Sequence, residues 1–431
     1  MKHLVSLLMV GCLLSAFQVC AEERVEAKSK SPQRSPGPEG PQAMMGPPPG
    51  EYKWLSDEKR TEIPFELAKN HVIIPVTVQG RPMKFVLDTG MPAHGAILFG
   101  GSNCDSVPLD YVGEAQVGGV GGGLTQARMA AGATIELGGL RLTQQMVIVM
   151  PPDRERGLAF EDRDGAIGYA LFSRFVVRLD FDRMVMKVEE PGEGAPPDSA
   201  EALPITFANN VPKAKCSVEM LDGTVVPLEL VVDLGASHAV SLNTGAHPEM
   251  SIPEGAIEAR LGRGVGGALD GRIGRVRSLT LAGRRLENVV ASFRSKAHKG
   301  TPGLEAMERD GNLGADALRR FNVTFDYGRK VMLLEPNSHF GEPFEFDMAG
   351  IEYSRTEEGS VVVERVVPDS PAQEAGLWVG DVVTKADGRD VSSMSLENLR
   401  LLLMRPGKQV SLSFVRDGKE KQVTLTLRRL L

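Results

Sequence analysis

Phe85-Val86-Leu87-Asp88-Thr89-Gly90 carries three apolar residues into an aspartate and a glycine, and Leu230-Val231-Val232-Asp233-Leu234-Gly235 does so again. An apolar strand that ends on Asp and turns at Gly presents a carboxylate at a cleft while its backbone stays anchored in a core. Each run reads as the return arm of a hairpin. His71 to Val78 alternates, turns at Gln79-Gly80 and returns from Arg81; Ala214 to Met220 alternates, turns at Asp222-Gly223 and returns from Val225.

The two copies stay in step downstream. Gly119-Val120-Gly121-Gly122 begins 31 residues after Asp88, and Gly264-Val265-Gly266-Gly267 begins 31 after Asp233. Gly165-Ala166-Ile167-Gly168 ends 80 residues after Asp88, and Gly311-Asn312-Leu313-Gly314 ends 81 after Asp233. Arg174-Phe175 and Asp180-Phe181 then recur as Arg320-Phe321 and Asp326-Tyr327. Spacing this constant marks two copies of one β-rich lobe. A single strand-Asp-Gly is an ordinary turn of a β protein. Two in register suggest pseudo-twofold docking that brings Asp88 and Asp233 together, where carboxyls at contact share a proton because both cannot ionise cheaply.

Outside the repeat the chain divides at changes of composition. Met1 to Ala21 has a basic start at Lys2, an apolar stretch from Leu4 to Leu14 and a small residue at Ala21, which reads as a cleavable secretory signal and an exported, periplasmic product. Residues 22–61 form a Pro-rich tether without the apolar periodicity of a core. Further breaks at Pro191 to Asp198 and Pro336 to Pro343 leave lobes at 62–191 and 203–337 and a last domain at 343–431. No other run reaches membrane-spanning length. The formal charge of -7 argues against nucleic acid as a partner. Cys104 and Cys216, the two cysteines beyond the signal, read equally well as a disulfide or as buried thiols. No His-Glu-x-x-His run, Gly-x-Ser-x-Gly elbow or Cys/His cluster is present, so the expectation is no metal and no cofactor.

On the Asp-Gly runs and the segments Ala166-Ile167-Gly168 and Asn312-Leu313-Gly314, the chain resembles the pepsin and retropepsin superfamily, specifically bacterial two-lobed retropepsin-like proteins with PDZ tails, over about 62–431. The resemblance implies an all-β fold: tandem acid-protease lobes forming a bilobal cleft, followed by a PDZ domain. It implies an aspartic endopeptidase acting on exported or envelope polypeptides, with Asp88 and Asp233 catalytic. Thr89, Gly90, Gly235 and Ser237 would support the dyad, and Gly119, Gly121, Gly264 and Gly266 would lie in mobile flap hairpins. Leu234 and Pro92 stand where the family usually has hydroxyl residues, and Asn312 where it has an apolar one. Leu234 keeps a second reading open, a catalytically silent two-lobed peptide receptor.

The last domain resembles the PDZ domains of bacterial periplasmic proteases through Ser370-Pro371-Ala372-Gln373-Glu374-Ala375-Gly376-Leu377, Gly380-Asp381-Val382-Val383 and Asp387-Gly388. That resemblance implies a groove for C-terminal or extended peptides, with Gly350, Ile351 and Tyr353 on the carboxylate loop and strand and Leu399 on the opposing helix.

Overall fold

The computed structural model describes residues 6–11, 18–20, 50–119, 123–152, 163–192, 199–264, 267–294, 310–356 and 358–431. The chain is mostly β. Two lobes repeat one topology and a small β domain follows them. The leader and tether fall largely outside the described residues; Ser6–Gly11 and Gln18–Cys20 are strands paired with each other.

In the first lobe His71–Val78 pairs antiparallel with Arg81–Leu87 across Gln79 and Gly80, both at positive φ, the backbone of a two-residue hairpin turn. Gly165–Ile167 lies parallel to Arg81–Leu87 and antiparallel to Ala96–Leu98, which runs parallel to Leu140–Val149. The second lobe repeats each pairing: Val211–Glu219 with Val225–Asp233, Gly311–Gly314 parallel to Val225–Asp233 and antiparallel to Val240–Asn243, and Val240–Asn243 parallel to Arg284–Arg294. The central position of the Asp strands explains their composition. Phe85, Val86 and Leu87 are all buried because neighbours cover both faces, so the alternation of a half-exposed strand gives way to a continuous apolar run. Around Asp222-Gly223 the turn is longer than a two-residue hairpin loop, since Glu219 and Val225 are the last paired residues and only Gly223 of that dipeptide has positive φ.

A shared antiparallel sheet joins the lobes. Val176–Asp180 pairs with Phe321–Asp326 at its centre, with Arg178 opposite Thr324. On one side follow Val185–Glu189 and Arg60–Pro64, and on the other Val331–Pro336 and Glu201–Ala208, an equal set from each copy. The lobes thus share one continuous core in which Phe172, Phe325 and Tyr327 meet edge-on or stacked. Cys104 and Cys216 are free thiols.

The C-terminal domain is a separate core around Val361, Val363, Val383, Leu399 and Phe414. Its sheet begins with Ile351–Arg355 as an edge strand, and Leu396–Leu402 is its longer helix, capped by Ser395 accepting from the Asn398 amide at 3.2 Å. The Pro-bearing linker before it is held to the second lobe. Arg320, fully buried, donates to the carbonyls of His339 and Pro343 and stacks its guanidinium on Phe344.

Candidate functional site

Asp88 and Asp233 end equivalent strands and meet between the lobes. The register that makes them equivalent also places a glycine against each turn. A Cβ on Gly168 would lie 2.1 Å from the Asp88 carbonyl oxygen, and one on Gly314 would lie 2.1 Å from that of His238. Only glycine admits this approach, which is why the apolar-apolar-Gly segment recurs. The carboxyls face each other across the two turns, each packed against the other turn's glycine. Burial first, then the adjacent Asp233 charge, raises the Asp88 pKa well above the usual carboxylate range, against the Gly90 and Met91 amides that lower it.

Asp233 is the better solvated by protein donors. Its Oδ1 accepts from the Gly235 amide at 2.9 Å and its Oδ2 from the Asn312 side-chain amide at 3.1 Å. Donors to a carboxylate favour its charged form, so these two bonds bias the negative charge of the coupled pair toward Asp233. Asn312 is in turn oriented by His238, whose Nε2 donates to Asn312 Oδ1 at 2.9 Å. Burial lowers the His238 pKa to about 4, so this imidazole is neutral. Sequence reading took Asn312 only as a departure from an apolar position; its chemistry becomes visible once Gly311–Gly314 lies parallel to the Asp233 strand.

Thr89 bridges the lobes. Its hydroxyl donates to the Val232 carbonyl at 2.7 Å and accepts from the Leu234 amide at 2.9 Å. Leu234, its counterpart, is fully buried and returns no such bond. Gly90 and Gly235 back the opposite carboxyls: a Cβ on Gly235 would lie 2.5 Å from Asp88 Cγ, and one on Gly90 would lie 2.8 Å from Asp233 Oδ1.

A second, reciprocal clamp escaped the sequence reading. Asn70 Nδ2 donates to the Ser237 carbonyl at 2.9 Å, and Asn210 Nδ2 donates to the Pro92 carbonyl at 3.3 Å. Ser237 and Pro92 occupy equivalent places, and both asparagines sit at positive φ just before equivalent strands. The signal was the repeat of Ala68-Lys69-Asn70 as Ala208-Asn209-Asn210. His71 adds a bond from Nε2 to the Gly235 carbonyl at 3.0 Å, and its burial lowers its pKa to about 3.

Gly119 and Gly264 end the first strands of two hairpins, Asp110–Gly119 with Leu124–Leu137 and Ile257–Gly264 with Gly267–Leu281. Gly121 and Gly266 lie outside the described residues. Beside the second hairpin a cavity of about 540 Å³ joins the lobes to the C-terminal domain. Gly235, Ser237, His238 and Asn312 line it from the Asp233 side, and Gly350, Ile351 and Tyr353 from the other. Leu399 does not line it; that side chain is buried in the domain core, while Leu396, Arg400 and Leu403 face the cavity. Among the described residues no group of three or more His, Cys, Asp or Glu could hold a metal ion, and no helix is long and apolar enough to cross a membrane.

Residues 348–427 match the family model of the PDZ domain. Among curated proteins, a probable periplasmic serine protease do/HhoA-like of Haemophilus influenzae is 33% identical over 87 residues, 20% of this chain and 18% of that protein. The periplasmic serine endoprotease DegP of Escherichia coli is 36% identical over 67 residues, 16% of this chain and 14% of that protein. The chain therefore spans less than a fifth of the length of these relatives. A crystal structure of aspartic proteinase from Irpex lacteus aligns at 16% identity with a TM-score of 0.46, covering 66% of this chain and 98% of that one.

These relatives correct the sequence expectation of an aspartic-type endopeptidase, and of the aspartyl, retropepsin-like class attached to it: the curated proteins that the chain resembles are named serine endoproteases. Strand-Asp-Gly engages a handful of residues, whereas the matched segments are as long as a whole module. The carboxyl pair, moreover, is closed off in this structure from the solvent that hydrolysis consumes, since Asp88 and Asp233 are both 0% exposed. The C terminus of the chain is a PDZ domain.

Proposed function

We propose that this chain is an exported polypeptide-binding protein of periplasmic protein turnover, whose PDZ groove takes an extended segment and leads it toward the cleft between two lobes in a bilobal acid-protease arrangement. The observation that carries this reading is a cavity lined by Gly350, Ile351 and Tyr353 on one side and Gly235, Ser237 and His238 on the other. A sheet edge beside a helix can take a further strand through main-chain hydrogen bonds, and Ile351–Arg355 is the edge strand of its sheet. The periplasmic proteases that share a similar module support the setting. The equal contributions of both copies to the shared sheet support the acid-protease arrangement as a fold, and a fold does not fix a chemistry.

In this reading Asp88 and Asp233, braced by Thr89, Gly90 and Gly235, lie buried beneath the cleft and hold its two turns together. Ser237 stands at its rim, and the hairpins ending at Gly119 and Gly264 cover it. The test is fluorescence anisotropy of a labelled, permanently unfolded polypeptide titrated with the whole protein. Binding is expected, weakened roughly tenfold by Tyr353→Ala, which removes an aromatic contact in the groove. Absence of binding, or indifference to that substitution in a folded variant, overturns the reading. Loss of the polypeptide from the same mixture, blocked by a serine-directed fluorophosphonate, would extend the relatives' chemistry to this chain.

A further inference from the structure

The loop that begins the PDZ domain already holds a carboxylate, its own. Asp347 Oδ1 accepts from the Gly350 amide at 2.9 Å and the Ala349 amide at 3.2 Å, and Oδ2 lies 3.1 and 3.2 Å from the same donors. Gly350, at φ +81, turns these successive N–H groups to one side, a backbone concavity suited to an anion. No other residue fits there, since a Cβ would lie 2.2 Å from Ser370 Cβ.

An arriving peptide carboxylate would have to share these donors with Asp347 or displace it. Two carboxylates at contact cannot both ionise cheaply. Charges of both signs surround the loop, with Glu352 and Glu397 negative, Lys69, Arg163, Arg260 and Arg294 positive along the cavity, and Arg400 committed to Glu397 through two bonds of 2.6 and 2.9 Å, so it is the occupation of the amides by Asp347 that sets the conflict. An internal stretch of polypeptide brings no such charge, and the edge of Ile351–Arg355 remains able to pair with its backbone.

We propose that Asp347 sets the specificity of this groove, making it a site for the interior of an extended polypeptide rather than for a C-terminal carboxylate. The inference rests on the reading that the groove binds polypeptide. Burial raises the Asp347 pKa to about 7, in keeping with a site that tolerates a second anion poorly.

The test uses the whole protein above neutral pH with one library of fluorescein-labelled, apolar-ended peptides made both as free acids and as C-terminal carboxamides. Wild type is expected to bind the carboxamides at least as tightly as the acids. Asp347→Ala, which vacates the nest, and Asp347→Asn, which keeps its shape without charge, should each shift the ratio roughly tenfold toward the acids. A wild-type preference for the acids, or an unchanged ratio in both folded variants, overturns the inference and leaves polypeptide binding standing. Binding of neither library, by wild type or variants, overturns both.

Discussion

The Thr89 hydroxyl accepts a hydrogen bond from the Leu234 amide at 2.9 Å and donates to the carbonyl beside it, tying the turn of one lobe to the turn of the other. Thr89 is 1% exposed, so both partners depend on it for bonds that water cannot replace. Thr89→Val should cost about 2 kcal/mol, while Thr89→Ser retains the bonds and most of the stability. Leu234→Thr does not restore symmetry. Leu234 packs in the shared core, so a hydroxyl there loses apolar contact and should cost about 1–3 kcal/mol. Urea denaturation of the three variants checks the order; a stabilised Leu234→Thr contradicts it.

Asn312 connects the His238 imidazole to Asp233 of the carboxyl pair. Replacing it with leucine fits the strand but leaves Asp233 short of a donor and His238 short of an acceptor. Asn312→Leu is expected to lose about 2–4 kcal/mol. Coupling provides the sharper check. If the network is real, Asn312→Leu and Asp233→Asn together cost clearly less than the sum of the single changes, and strict additivity would count against it.

Much of this arrangement was legible because duplication writes itself twice. Asp88 with Asp233 and Gly168 with Gly314 could be paired by spacing alone, and the paired strands follow that register. Thr89 was legible through the resemblance, by its place after Asp88, and not through repetition. Asn312 and His71 have no chemical equivalents in the other lobe, so repetition gave no signal for them, and the repeated Asn70 and Asn210 gave a signal whose bonds only the fold reveals. Leu399 shows a different limit. Helical spacing marks an apolar face, but it does not say which of its core residues, like Leu396 and Leu403, also border the cavity. The aspartic assignment failed for a related reason: a short motif identified a local conformation, whereas the PDZ domain offered a whole module to compare.

Stability should pass through a maximum with pH, because buried groups of opposite kinds limit it on either side. His71 and His238 have folded pKa values lowered to about 3 and about 4 from 6.5. Their contribution is full above 6.5 and is lost as pH falls toward those values. Asp88 has a raised pKa, so its contribution is present in acid and lost as pH rises through its folded value. His71→Gln and His238→Gln should therefore flatten the acid limb of Tm against pH. Asp88→Asn should flatten the loss of stability as pH rises above the ordinary carboxylate range and raise Tm there. An Asp88→Asn protein less stable than wild type at alkaline pH contradicts this account.

The last prediction concerns the seam between the second-lobe hairpin and the PDZ domain. The Arg260 amide donates to Glu352 Oε1 at 2.8 Å, its guanidinium reaches Glu364 at 2.6 Å, and Arg365 answers from the PDZ side to Asp270 at 3.1 Å. These side chains retain 23–61% exposure, so each ion pair is worth on the order of 0–1 kcal/mol and adds little to folding. Their effect should fall on docking, where several weak, salt-screened contacts act in concert. Arg260→Glu sets like charges against Glu352 and Glu364 and should release the hairpin from the PDZ edge, seen as a larger radius of gyration by small-angle scattering with Tm nearly unchanged. The linker, still held by Arg320, limits how far the domain can move. Glu364→Arg in the same chain should restore the compact profile, which a merely damaged hairpin would not allow. Raising salt should expand wild type toward the variant, and an identical profile for wild type and Arg260→Glu at low salt would show that the apolar walls of the cavity, rather than this network, hold the domains together.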